Sequence, residues 1–177
     1  VANAGPDQTV NENTSTTLDG RSSSDFDGDK LTYKWTAPSG IILSSDTVSR
    51  PVFMAPEVKK DTTYAFSLIV NDGKVNSAAD IVTVTVKQVN KAPVANAGPD
   101  QTVNENTSTT LDGRSSSDFD GDKLRFKWTA PVGIILSSDT VTMPVFMAPE
   151  VKKDTTYAFS LIVNDGKVNS AADIVTV

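Results

Sequence analysis

Residues 1–84 and 94–177 are nearly the same sequence written twice. At a constant offset of 93, only five positions differ: Thr32/Arg125, Tyr33/Phe126, Ser39/Val132, Ser49/Thr142 and Arg50/Met143. This period is too long for an ankyrin or leucine-rich unit, and each copy is large enough to enclose its own small core, so the chain reads as two domains in series. Their expected extents are 1–88 and 89–177, with a connector over about 87–93. The connector sequence TVKQVNKAP (85–93) has no counterpart before Val1 or after Val177, and the chain is expected to continue on both sides.

Within one copy the signals are those of strands. Ser, Thr, Asn, Asp, Gly and Pro punctuate the chain every few residues, while Val and Thr abound. LTYKWTA (31–37) alternates Leu31, Tyr33, Trp35 and Ala37 against Thr32, Lys34 and Thr36. TYAFSLIVND (63–72) puts Tyr64, Phe66, Leu68 and Val70 on one face, and ADIVTVTVK (79–87) does the same with Val82, Val84 and Val86. Shorter strands are expected at 8–12, 16–19, 41–44 and 51–55. The NDGK of Asn71–Lys74 reads as a hairpin with Gly73 at positive φ. About seven short strands separated by turns predict an all-β chain: two tandem immunoglobulin-like antiparallel β-sandwiches. Trp35 and Trp128 lie inside alternating strands and are expected in the cores rather than as exposed sugar-stacking platforms.

Composition excludes several functions. The net charge is −6, with −4 in each copy and +2 in the connector, which disfavours nucleic acid and anionic membranes. There is no cysteine to build a disulfide scaffold, and no histidine for acid–base work. No apolar run is long enough to span a membrane. The only carboxylate clusters fall in short polar turns without the groove a glycosidase pair needs. The chain is therefore expected not to be an enzyme. The NTS at Asn13 and Asn106 matches the N-linked acceptor pattern, which matters only in a eukaryotic secretory route.

VANAGPDQTVNE, TLDGRSSSDFDGDKLTYKW, PVFMAPEV and TYAFSLIVNDG, in that order and twice over, resemble a PKD (polycystic-kidney-disease type) domain. They are most similar to the subset of the dyslexia-associated membrane proteins. Where many PKD domains carry an FGDG-like stretch after the strand Trp, this chain reads WTAPSG. The resemblance implies a non-catalytic extracellular or cell-surface module. Its implied setting is the repeat region of a large bacterial surface adhesin, gliding-type adhesins included, where it acts as a stalk and in adhesion. The alternative is an accessory spacer or substrate-binding module of a secreted glycosidase or protease. Its expected partners are neighbouring repeats of the same chain and a surface polysaccharide or protein, with the chain itself monomeric.

The one constellation with chemistry is SSSDFDGDK, at 22–30 and again at 115–123. Three carboxylates in five residues repel one another unless something relieves them. The spacing is not that of an EF-hand, because Gly28 is fourth from Asp25 and Thr36 is twelfth. In an immunoglobulin-like sandwich this loop shares one end of the domain with the Asn164–Lys167 turn and the connector. Two readings stay open. One is a plain capped turn, since Asp side chains accept nearby backbone N–H groups well. The other is a calcium site, and similarity to calcium-binding PKD-like domains implies its ligands. These are the Asn90 side-chain oxygen, the Lys91 carbonyl, and the Asp118 and Asp120 carboxylates, with Asp122 and Asp165 as second choices. The repeat 1 equivalents Asp25, Asp27, Asp29 and Asp72 are expected to bind more weakly, because no Asn-Lys pair stands before Val1 in this chain.

Overall fold

The two strongest alternating segments of the first copy become the longest strands of the computed structural model, which describes residues 1–177. The chain divides into two units, Val1–Val89 and Asn90–Val177. Unit 1 contains β1 (Gln8–Asn11), β2 (Ser15–Thr17), β3 (Thr32–Thr36), β4 (Val52–Met54), β5 (Thr62–Asn71) and β6 (Asp80–Lys87). Unit 2 contains β7 (Ser108–Thr110), β8 (Arg125–Thr129), β9 (Val145–Met147), β10 (Ala158–Asn164) and β11 (Asp173–Thr176). There is no helix, and each unit is a sandwich of the immunoglobulin-like kind.

In unit 1 the larger sheet runs β1-β6-β5-β3 and the smaller pairs β2 with β4. Period-2 alternation sends Phe66, Leu68 and Val70 of β5 and Val82, Val84 and Val86 of β6 inward, where they meet Leu18, Trp35 and Phe53. Phe53 packs on Phe66 with ring centroids 4.7 Å apart. The Trp35 indole N–H donates to the Val48 carbonyl at 3.0 Å, so its polar end is satisfied inside the core. Gly20 lies beneath that ring: a Cβ there would come within 2.9 Å of Leu68 and 3.1 Å of Trp35. Unit 2 repeats the plan, with sheets β11-β10-β8 and β7-β9 around Leu111, Trp128, Phe146, Phe159 and Leu161. Both tryptophans are 2 % exposed, which removes them as sugar platforms.

Two details differ from the sequence expectation. The strand expected at 41–44 does not form, and the strands number six and five rather than about seven. There the Ser44 N–H reaches the Val52 carbonyl at 2.7 Å and its hydroxyl accepts the Val52 N–H at 2.9 Å, so one residue's side chain replaces a ladder. The first strand, β1, pairs parallel with β6, Gln8 opposite Val84 through Asn11 opposite Lys87, so the sandwich is not wholly antiparallel. In unit 2 the Gln101 N–H likewise donates to the Thr176 carbonyl, at 2.8 Å.

Candidate cation site

The acidic loop of unit 2 is held before any charge is considered. Ser117 exchanges both backbone hydrogen bonds with Val94, at 2.8 and 2.9 Å, and the Ser116 hydroxyl accepts the Asn96 N–H at 3.0 Å. Asp118 Oδ1 accepts the Asp122 N–H at 2.9 Å, folding the loop back on itself. The hairpin after β10 supplies Asp165, whose Oδ1 accepts the N–H groups of Lys167 and Val168 at 2.7 Å each. Gly166 follows at φ +97, a conformation that excludes most side chains.

The start of unit 2 is fastened onto both segments. Asn90 Nδ2 donates to Asp165 Oδ2 at 2.8 Å, and the Lys91 backbone N–H donates to Asp120 Oδ2 at 2.8 Å. The Lys91 ammonium sits 3.9 Å from the centroid of the Phe119 ring. Under this cover Asp165 is only 6 % exposed. Its pKa falls to about 2, chiefly through the Val168 N–H, then through the Asn90 amide. The structure therefore brings Asn90, Lys91, Asp118, Asp120, Asp122 and Asp165 into one network within unit 2.

Their present roles differ from those of ligands. The Asn90 side-chain oxygen accepts from the Lys167 ammonium at 2.8 Å, and the same ammonium reaches Asp122 Oδ2 at 3.0 Å. The Lys91 carbonyl accepts a longer bond from Asn90 Nδ2, 3.3 Å. Sequence reasoning missed Lys167, although a lysine two residues beyond Asp165 in a tight hairpin was a readable signal. The Asp122 carboxylate raises the pKa of Lys167, with smaller pulls from Asp165 and Asp120. No group of three or more carboxylates is gathered closely enough to hold a metal on its own. Two oxygens are nevertheless buried without a hydrogen-bond partner, Asp118 Oδ2 and Asp120 Oδ1. Buried anionic oxygens without a donor are costly, and hard oxygen donors of this kind suit a small divalent cation.

Unit 1 carries the same loop and hairpin in a more open form. Asp25 Oδ1 accepts the N–H groups of Asp27 and Asp29 at 2.9 and 3.1 Å, as a capped turn does. Lys74 reaches Asp29 at 2.8 Å, and Asp72 Oδ1 accepts the Lys74 and Val75 N–H groups at 2.7 Å each. Asp27 and Phe26 are exposed and Asp72 is only partly buried, whereas their counterparts Asp120 and Phe119 touch Lys91 and Asp165 is buried.

Fold and loop together define two β-sandwich units in series, each carrying an acidic turn. The family described as "K319L-like, PKD domain" matches residues 4–86 and 97–177, and the chain belongs to it as two successive PKD domains. Chitinase A of Pseudoalteromonas piscicida is 35% identical over 144 residues, 81% of this chain and 17% of that protein. The mouse dyslexia-associated protein KIAA0319-like protein is 34% identical over 187 residues, 99% of this chain and again 17% of that protein. The chain thus spans about a sixth of the length of these curated relatives. Among solved structures, human mucin-like protocadherin EC1-2 is 17% identical with a TM-score of 0.57, covering 99% of this chain and 96% of that one. Protocadherin gamma B2 domains 3–6 are 13% identical with a TM-score of 0.58, covering all of this chain and 46% of that one. Those likenesses show the fold. No helix is long and apolar enough to cross a membrane.

Proposed function

We propose that these two PKD domains are a non-catalytic extracellular module, a stalk segment of a large cell-surface adhesin, in which calcium fastens the start of a repeat to its acidic loop. The observation that carries the reading is the pinning of Asn90 and Lys91 by Asp165 and Asp120 beside two partnerless carboxylate oxygens. The chemistry of the donors supports the ion: the Asp118 and Asp120 carboxylates and the Asn90 amide and Lys91 carbonyl oxygens of the same network are hard oxygen ligands. A bound calcium would supply charge compensation and a cross-link among these segments. Gln88 is held by Asp61 of unit 1 at 3.0 Å and Asn90 by Asp165 of unit 2, leaving Val89 as the single residue between the anchors. Repetition lets weak surface contacts act together.

The test is calorimetric titration of the 177-residue chain with calcium, with scattering in calcium and in chelator. About one ion per chain is expected, lost in an Asp118→Asn/Asp120→Asn double variant. Less than one ion per chain, or an unchanged melting point of that variant in calcium, returns the loop to a capped turn. The similarity to chitinase A supports a second reading, an accessory module of a secreted hydrolase. Retention of the chain on insoluble chitin would favour it over the stalk.

A further inference from the structure

The Lys167 ammonium holds two oxygens of the acidic network for which a dissolved cation would compete. Of the atoms in the network, Asp118 Oδ2 and Asp120 Oδ1 are buried without a partner. Asn90 Oδ1 and Asp122 Oδ2 are both engaged by the Lys167 ammonium, at 2.8 and 3.0 Å. Asp165 has both oxygens committed, Oδ1 to two backbone N–H groups and Oδ2 to Asn90, so it anchors the seat rather than offering another donor. An ammonium and a divalent cation cannot share two oxygens without strong like-charge repulsion. The side chain of Lys167 is 55% exposed, so it can swing into solvent without disturbing the core.

We infer that Lys167 is a built-in counter-ion of the unit 2 seat, which neutralises the acidic loop when calcium is scarce and must withdraw before calcium is fully coordinated. The inference rests on the calcium reading above and adds its regulation: the lysine sets the concentration at which the seat responds and keeps the loop ordered below it. Lys74, in unit 1, reaches Asp29 alone, with no amide oxygen to share.

The experiment compares the wild-type chain with Lys167→Gln, Lys167→Arg and, as a control, Lys74→Gln. Removing the competing charge is expected to tighten calcium binding about five- to fiftyfold in Lys167→Gln. That variant should also melt earlier than wild type in chelator. Lys167→Arg, which keeps the charge, and Lys74→Gln should bind as wild type does. Reductive methylation mapped by mass spectrometry gives an independent readout, because Lys167 should react faster once calcium is added. Binding by wild type and Lys167→Gln with affinities within about twofold overturns the lysine's role while sparing the calcium reading. Absence of binding in every variant, including Lys167→Gln, overturns both.

Discussion

Asn90 donates its amide to Asp165 at 2.8 Å, and this bond separates two otherwise matching hairpins: Asp165 is 6 % exposed, while Asp72 receives the same two backbone N–H groups but stays only partly buried. Asp165→Ala is therefore expected to destabilise unit 2 more than Asp72→Ala destabilises unit 1. Hydrogen exchange resolved to each unit measures both effects in one chain. Equal effects would show that the Asn90 bond contributes nothing.

Acid should act on the same carboxylate. Asp165 titrates near pH 2 in the folded chain, below the ordinary aspartate value near 4 that the unfolded chain presents. A lowered folded pKa gives stability that is complete above about pH 4 and is lost as the pH falls through about 2. Asp112, pulled to about 2 by the Arg114 guanidinium, adds to the same window. Melting points between pH 6 and 2 should fall less steeply in Asp165→Asn than in wild type. A superimposable pH profile would contradict this.

Gly113 has no room for a side chain. A Cβ there would stand 3.1 Å from both Trp128 and Leu161 and 3.2 Å from the Thr142 carbonyl. Gly113→Ala should cost about 1–3 kcal/mol by overpacking, read from denaturant unfolding. A loss under about 0.5 kcal/mol would mean that the tryptophan shifts freely.

Glu12 and Glu105 make the same bond in different surroundings. Glu12, 5 % exposed, accepts the Val58 N–H at 2.8 Å, whereas the exposed Glu105 accepts the Val151 N–H at 2.8 Å. Glu12→Ala leaves a buried donor without a partner and should cost about 1–3 kcal/mol. Glu105→Ala, where water can replace the carboxylate, should cost clearly less. The comparison uses unit-resolved hydrogen exchange.

Most of the frame was legible because alternation survives packing. The inward residues of β5, the valines of β6 and both tryptophans lie where period-2 reading put them. Strand 41–44 failed because a hydroxyl can take over one rung of a ladder, and that exchange leaves no pattern in apolar residues. The parallel entry of β1 was hidden for a related reason: alternation specifies which face is buried, not the direction of a neighbour. At the acidic loop the grouped segments were foreseeable from topology. Lys167 was legible only as a positive charge beside Asp165, because spacing does not say which oxygens a long flexible ammonium reaches.

Val89 stands between Gln88, bonded to Asp61, and Asn90, bonded to Asp165. A protease must draw several consecutive residues into extended form, and exposed slack segments are where nicking concentrates. One unfastened residue does not supply that length. Digestion should therefore spare the boundary between the two units and begin elsewhere, so the cut ends of its fragments should lie within a unit rather than at the junction.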